Sequence, residues 1–100
     1  MINFNLENRV AIVTGGAQGF GYAITERFIK SGAKVIIWDI DENEAKKTLE
    51  KISSKELSYQ IVDVSNFETI NKSLLETEKK FGKIDIFINN AGMAGMNTTV

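Results

Sequence analysis

The sequence contains no cysteine and no histidine, and these two absences exclude several kinds of chemistry. Without cysteine there is neither a disulfide framework nor a thiolate nucleophile. Without histidine, a zinc site of the usual cysteine and histidine kind, a Ser-His-Asp triad and an imidazole base are also excluded. Any chemistry must therefore use carboxylates, hydroxyls, lysine or a bound cofactor, and we predict no metal site.

The charge balance and the short apolar runs exclude two classes of partner. The 100 residues carry 12 basic and 13 acidic side chains, so there is no basic surface of the kind that binds nucleic acid. No apolar run approaches the roughly 20 residues of a membrane span. The N-terminus also lacks the basic and then apolar pattern of a signal peptide. We therefore expect a cytoplasmic protein that binds neither nucleic acid nor a membrane.

The chain instead shows a regular alternation of strand-like and helix-like segments. Four short apolar segments predict strands at residues 9–14, 33–39, 57–63 and 83–90. Apolar residues at helical spacing follow each of the first three, and Gly32 and Gly82 lie where the first and third helices would end. The order β-α-β-α-β-α-β predicts an α/β fold with a parallel sheet and right-handed crossovers.

The predicted helices have expected starts and expected core-facing residues. Asp41 with Glu44 predicts a capping box at the second helix, and Ser65 with Glu68 predicts another at the third. The apolar repeats of the three helices are, in order, Phe20, Ala23, Ile24 and Phe28; Ala45, Leu49 and Ile52; and Ile70, Leu74, Thr77 and Phe81. We expect each repeat to face the sheet.

Four glycines fall within residues 15–21, between the first strand and the first helix. At such a junction one glycine permits a tight turn, a second lets the backbone approach a ligand, and a third lets the helix pack closely. Free N–H groups at the positive end of the helix then favour a pyrophosphate. As a bare string, Gly15-x-x-x-Gly19-x-Gly21 is equally compatible with an ordinary loop. Its place after a buried strand favours phosphate binding.

Asp39 ends the second predicted strand, 18 positions after Gly21. In a Rossmann-type fold a carboxylate there accepts hydrogen bonds from the adenosine ribose, although a solvated turn residue is the alternative. It would repel a 2′-phosphate, and Gln18, Trp38 and Ile40 are not basic. The pattern therefore favours NAD over NADP. It predicts a Rossmann-type, doubly wound parallel sheet of which this chain supplies the first four strands.

Four motifs in order along the chain resemble those of the short-chain dehydrogenase/reductase family. They are TGGAQGFG at residues 14–21, Asp39, DVS at 63–65 and NNAG at 89–92. The chain is similar to 3-oxoacyl-(acyl-carrier-protein) reductases and to polyol or sugar dehydrogenases from residue 6 to about residue 96. The resemblance implies hydride transfer between a nicotinamide cofactor and a secondary alcohol or ketone.

The resemblance also implies which residues bind the cofactor. The residues expected to line the pyrophosphate and adenosine side of the cofactor, chiefly through backbone atoms, are Gly15, Gln18, Gly19 and Phe20. At the adenine they are Asp63, near the amino group, and Val64, over the ring; beside the other ribose they are Asn90, Ala91 and Gly92. Gly21 would allow close helix packing, and Thr14 and Asn89 would join the ends of the first and fourth strands. A structural role is the alternative for Asn90.

No catalytic residue can be named in this sequence. The family's serine and Tyr-x-x-x-Lys residues would fall beyond residue 100, because Tyr22 and Tyr59 are followed four positions later by Glu26 and Asp63 rather than by lysine. We therefore expect residues 1–100 to be the N-terminal portion of an NAD(P)-binding domain and to be inactive alone. The complete protein is expected to take a small-molecule substrate and to form a homo-oligomer, commonly a tetramer in this family.

Two other interpretations stay open from the sequence. One is a stand-alone dinucleotide-binding module without catalytic turnover. The other is a methyltransferase-type domain, which also combines a glycine loop with an acidic residue after the second strand. The NNAG motif argues against the second.

Overall fold

The computed structural model describes residues 5–90, in which strands and helices alternate along the chain. The strands are β1 (Val10–Thr14), β2 (Lys34–Asp39), β3 (Leu57–Ile61) and β4 (Ile86–Asn89). The helices are α1 (Gly19–Lys30), α2 (Glu42–Ile52) and α3 (Phe67–Phe81). The predicted element order is confirmed.

The four strands form one parallel sheet in the order β3-β2-β1-β4. β3 is shorter than the apolar pattern predicts because its partner β2 ends at Asp39, which pairs with Ile61. β4 begins later than predicted, since its pairing with β1 starts at Ile86 opposite Ala11. The carboxyl ends of all four strands lie at the same edge of the sheet, so the loops that follow them are neighbours.

The sheet is covered on both faces by helices. On one face α1 and α2 pack over a cluster of buried residues: Ala11, Val13, Ala17, Ala33, Val35, Ile37 and Leu57. On the other face α3 packs over a second cluster: Val10, Ile12, Ile36, Trp38 and Val62. β1 is buried along its whole length. This two-sided burial explains why the central strands are continuously apolar instead of alternating.

The predicted core-facing residues are confirmed for α2 and α3 but only partly for α1. Ala45 and Thr77 are buried, and the other predicted residues of these two helices pack against the clusters. In α1, Ile24 and Phe28 pack inward, whereas Ala23 is exposed and Phe20 is 81% exposed. Phe20 lies in the first turn, next to the glycine-rich loop and outside both clusters.

The predicted capping box at α3 is wrong by one residue. The cap is Asn66, whose Oδ1 accepts a hydrogen bond of 3.1 Å from the backbone N–H of Thr69. Ser65 instead donates to Asp63 Oδ1 from its backbone nitrogen at 2.9 Å and from Oγ at 2.6 Å. Because Ser65 is held in this turn, the helix begins after it.

The predicted end of α3 and the predicted start of α2 are both confirmed. Asp41 caps α2 by accepting a 3.2 Å hydrogen bond from the Glu44 N–H. Gly82 follows α3 with a φ of 82°, a left-handed conformation that favours glycine. The helices of residues 5–90 include none that is long and apolar enough to cross a membrane.

Candidate functional site

The glycine loop, residues 15–18, joins β1 to α1 at the carboxyl edge of the sheet. Its first residue extends the sheet, since the Gly15 N–H donates to the Trp38 carbonyl at 2.7 Å. Gly15 and Gly19 have φ values of 63° and 52°, which L side chains rarely adopt. Among residues 5–90, apart from the chain neighbours of Gly19 and the backbone of α1, no atom lies within 4 Å of where a Cβ on Gly19 would be, so the backbone there is open to an approaching ligand.

Gly21 lies where the first turn of α1 meets the glycine loop. A Cβ at Gly21 would overlap the carbonyl oxygen of Gly15 and would lie 2.7 Å from its carbonyl carbon. It would also lie 2.9 Å from Nδ2 of Asn90. The structure therefore confirms that the absence of a side chain at Gly21 permits the close packing of α1.

Gly16, the remaining glycine of the cluster, was given no role from the sequence. A Cβ on Gly16 would lie 3.0 Å from each of three atoms: Ile37 Cγ2, Thr25 Oγ1 and the Val13 carbonyl oxygen. Gly16 thus allows the loop to pass under α1 and against β2. The only signal in the sequence was that a fourth glycine accompanied the three of the motif.

The N-terminus of α1 differs from those of the other two helices. The capping residue Gln18 has an extended backbone and makes no side-chain capping hydrogen bond, and the first turn holds no acidic residue. Asp41 and Asn66 cap α2 and α3 with their side chains. The positive end of α1 is consequently open beside Gly19 and the exposed Phe20, where an anion would be stabilised.

Four of the predicted cofactor residues line one cleft at the carboxyl edge. This acidic cleft has a volume of about 130 Å³ and is lined by Gly15, Trp38, Asp39, Ile40, Val62, Asp63 and Val64. Its two charged side chains are both carboxylates. Gln18, Gly19 and Phe20 lie outside it, at the adjoining start of α1.

The carboxylate of Asp39 is fixed by the chain that follows it. The residue is only 7% exposed, and its Oδ1 accepts a 3.0 Å hydrogen bond from the N–H of Asp41. Within residues 5–90 this is the single hydrogen bond that the structure gives the carboxylate, and it leaves Oδ2 for another donor. The backbone carbonyl of Asp39 also accepts from the N–H of Val62, at 3.1 Å, which ties the β2 and β3 ends together.

The carboxyl group of Asp63 is held in a turn by its contacts with Ser65. The Oγ and N–H of Ser65 both donate to Asp63 Oδ1, and these hydrogen bonds lower the pKa of the Asp63 carboxyl below its ordinary value. Asp63 is exposed at the cleft rim. Like any exposed aspartate, it is ionised at neutral pH, and it offers a charged hydrogen-bond acceptor at this rim.

The end of β4 is tied to the end of β1 and to the glycine loop. Thr14 Oγ1 makes hydrogen bonds of 3.3 Å to the Ile88 carbonyl and 3.2 Å to Oδ1 of Asn89. This confirms the predicted link between the two strand ends. Asn90 donates from Nδ2 to the Gly15 carbonyl at 3.3 Å. The other predicted residues of this motif, Ala91 and Gly92, lie outside the described residues.

Two buried threonines also contact the glycine loop, although no motif or spacing in the sequence marks them. Thr25 of α1 donates from Oγ1 to the Gly16 carbonyl, and Thr48 of α2 donates from Oγ1 to the Ala17 carbonyl, both at 3.3 Å. Their side chains lie on different helices that meet only in the folded chain. No group of three or more potential metal ligands occurs among the residues that the structure describes.

Comparison with known proteins agrees with this geometry. The family model for short chain dehydrogenase matches residues 9–100. The chain belongs to this family. Its glycine loop, Asp39 and Asn90 are therefore parts of a short-chain dehydrogenase sequence, and the methyltransferase-type interpretation is wrong.

Curated short-chain dehydrogenase relatives match most of the chain. A 3-oxoacyl-(acyl-carrier-protein) reductase of Chlamydia muridarum is 37% identical over 95 residues, 92% of this chain and 38% of that protein. An NAD-dependent glycerol dehydrogenase of Listeria innocua is 40% identical over 92 residues, 92% of this chain and 36% of that protein. The chain thus spans little more than a third of the length of these relatives.

Solved structures of the family share the fold. A short chain dehydrogenase from Bacillus anthracis matches with a TM-score of 0.81 and 33% identity, over 85% of this chain and 35% of that one. A 3-ketoacyl-(acyl-carrier-protein) reductase from Brucella melitensis, complexed with NADH, matches with a TM-score of 0.77 and 35% identity, over 83% of this chain and 34% of that one. The predicted Rossmann-type fold is confirmed.

Proposed function

We propose that this chain is the dinucleotide-binding portion of an NAD-dependent dehydrogenase. The complete enzyme would transfer hydride between nicotinamide and a secondary alcohol or ketone. The observation that carries the proposal is the shared cleft of Gly15, Asp39, Asp63 and Val64 beside the uncapped start of α1. An acceptor for ribose hydroxyls and a positive site for a pyrophosphate are thereby adjacent.

The residues present fit such a cofactor. Residues 15–20 and the open first turn of α1 would hold the pyrophosphate, because Gly19 leaves the backbone unobstructed and no acidic side chain competes in that turn. Oδ2 of Asp39 would accept from the adenosine ribose. Asp63 would accept from the adenine amino group, with Val64 against the ring. Asn90, with Ala91 and Gly92, would line the ribose next to nicotinamide.

The charge of the acidic cleft supports NAD over NADP. Its lining holds two carboxylates and no basic side chain, and Asp39 is fixed and nearly buried. A 2′-phosphate on the ribose would therefore meet negative charge without a compensating cation. The relative from Listeria innocua is named an NAD-dependent enzyme, in line with this preference.

The proposed substrate class comes from the relatives. Their names include a 3-oxoacyl reductase and a glycerol dehydrogenase, so we propose a secondary alcohol or ketone of the 3-oxoacyl, polyol or sugar type. The cofactor supplies the hydride chemistry, while this portion of the protein binds and orients it. The boundary of the domain, the homo-oligomeric state and the cytoplasmic location stay predictions.

Asp39 provides the test. In the complete protein encoded by the gene, titration with NADH and NADPH should give much tighter binding of NADH. Asp39→Ser should weaken NADH binding about 10- to 100-fold, because a charge-assisted hydrogen bond is lost. It should also reduce the ratio by which the protein binds NADH more tightly than NADPH. Asp41→Ser, which keeps a helix-capping side chain, is the matched control. An unchanged preference in Asp39→Ser would contradict the proposal.

A further inference from the structure

Three successive carbonyl groups of the glycine loop accept hydrogen bonds from side chains of the surrounding structure. The Gly15 carbonyl accepts from Asn90, the Gly16 carbonyl from Thr25 and the Ala17 carbonyl from Thr48, each at 3.3 Å. A peptide unit is planar, so fixing its carbonyl also fixes the direction of its N–H. The orientation of the loop's amides therefore depends on side chains outside the loop.

Of the three donors, Thr48 belongs to α2 and lies 31 residues after its acceptor Ala17 in sequence. It is 2% exposed, and its hydroxyl lies 3.0 Å from the Glu44 carbonyl within α2 as well as 3.3 Å from the Ala17 carbonyl. A threonine hydroxyl has one proton, so the two acceptors share it. The contact with Glu44 is the ordinary bond of a helical threonine to the preceding turn. The contact with Ala17 joins α2 to the loop.

The start of α2 is joined in turn to Asp39. The Asp41 N–H donates to Asp39 Oδ1, and the Asp41 side chain caps α2 through the Glu44 N–H. The Glu44 carbonyl then accepts from Thr48. A continuous series of hydrogen bonds thus runs from the carboxylate of Asp39, through the first two turns of α2, to the glycine loop.

We propose that Thr48 is a positioning residue of the dinucleotide site. By donating a hydrogen bond to the Ala17 carbonyl, Thr48 holds the glycine loop in a fixed orientation relative to the ribose-binding carboxylate of Asp39. This proposal rests on the proposed function. It predicts that the Thr48 hydroxyl contributes to the binding of ligands that carry a diphosphate, and not to the binding of adenosine alone.

The test compares Thr48→Val with Thr48→Ser and Thr77→Val in the complete protein. Valine keeps the shape of threonine without the hydroxyl, and serine restores the hydroxyl. Thr77 is the matched control because it is also 2% exposed in a helix and also donates to the carbonyl four residues earlier, Ser73, at 2.8 Å. Its other acceptor is Gln60, on the opposite face of the sheet from α2.

Dissociation constants for adenosine, ADP-ribose and NADH are measured by titration calorimetry, with thermal unfolding recorded for each variant. Thr48→Val should raise the constants for ADP-ribose and NADH about 3- to 10-fold, the range of one ordinary hydrogen bond, and leave that for adenosine unchanged. Thr48→Ser should restore binding. Thr77→Val should lower the unfolding temperature without changing any of the three constants.

The outcomes separate this proposal from the proposed function. If the unaltered protein binds neither NADH nor ADP-ribose, the proposed function is wrong and the positioning role is wrong with it. If the unaltered protein binds both and Thr48→Val binds them equally well, only the positioning role is wrong. Equal weakening of adenosine and ADP-ribose binding would also overturn it, because the hydroxyl would then act through the stability of the fold.

Discussion

Replacing Gly21 by alanine should have two opposing effects on stability. It raises the helix propensity of α1, and it adds a Cβ where α1 packs against the glycine loop. Within an exposed helix the change from glycine to alanine is worth about 1 kcal/mol of added stability. Here the new Cβ would overlap the Gly15 carbonyl oxygen and lie 2.7 Å from its carbon. Both atoms belong to the backbone, so no side-chain rotation relieves the contact.

The expected outcome is a net loss of stability. Overpacking costs about 1–3 kcal/mol, and an overlap with a backbone atom belongs to the upper part of that range, about 2–3 kcal/mol, which exceeds the gain of about 1 kcal/mol in propensity. The displaced loop would also move Asn90 Nδ2, which lies 2.9 Å from the new Cβ. We therefore expect Gly21→Ala to lower the free energy of unfolding by about 1–2 kcal/mol and to weaken NADH binding.

Urea unfolding of the complete protein, followed by circular dichroism, measures this change. Two controls separate the contributions. Ala23→Gly, at an exposed position of the same helix, reports propensity alone and should cost about 1 kcal/mol. In Gly19→Ala the new Cβ meets no atom of the described residues beyond its own helix and chain neighbours, so this variant reports the strain of a φ of 52°, about 1–2 kcal/mol. A Gly21→Ala protein as stable as the unaltered one would refute the packing argument.

Two further predictions concern the helix start and the pH dependence. Asn66→Ala should lower the free energy of unfolding in urea by about 1 kcal/mol because α3 loses its capping side chain. Ser65→Ala should leave that cap intact. A larger loss of stability in Ser65→Ala than in Asn66→Ala would instead show that Ser65 is the cap. The Val10 N–H, which bonds Asp85 at 2.8 Å, and then Lys83 lower the pKa of the Asp85 carboxyl. The ionised Asp85 carboxyl group therefore stabilises the fold above its unfolded-state pKa of about 3.9, and this stabilisation is lost as the pH falls through the lower pKa of the folded state. In Asp85→Asn the free energy of unfolding should therefore fall less steeply as the pH is lowered below about 4. The same dependence of that free energy on pH in the variant and in the unaltered protein would contradict this.

Local patterns in the sequence carry most of the fold. The apolar strands, Asp41 at the start of α2 and Gly82 at the end of α3 each depend on neighbouring residues. The structure confirms all of these elements, with β3 and β4 shorter than predicted. The α3 start could not be resolved in this way. Ser65 and Asn66 are both good capping residues, and the choice depends on Ser65 being held by Asp63 where the chain leaves β3.

The glycine loop shows where local information ends. The positive φ values of Gly15 and Gly19 belong to a turn that the motif predicts. The restriction on a side chain at position 16 instead comes largely from Thr25 and Ile37, which are 9 and 21 residues away in sequence and act together with the nearby Val13 carbonyl. No helical or strand period in the sequence marks such a requirement, because it exists only once α1 and β2 have packed against the loop.

The difference between local sequence patterns and tertiary contacts also separates the residues that would touch the cofactor from those that orient them. Asp39 was predicted because its offset from the glycines is a property of one β-α-β unit. Thr48 was not, because a threonine in α2 is locally an ordinary helical residue whose hydroxyl bonds the preceding turn. Its second acceptor, Ala17, lies 31 residues earlier. The loss of the Thr48 hydroxyl should therefore alter pyrophosphate binding while leaving the hydrogen bond between the Asp41 N–H and Asp39 Oδ1 in place.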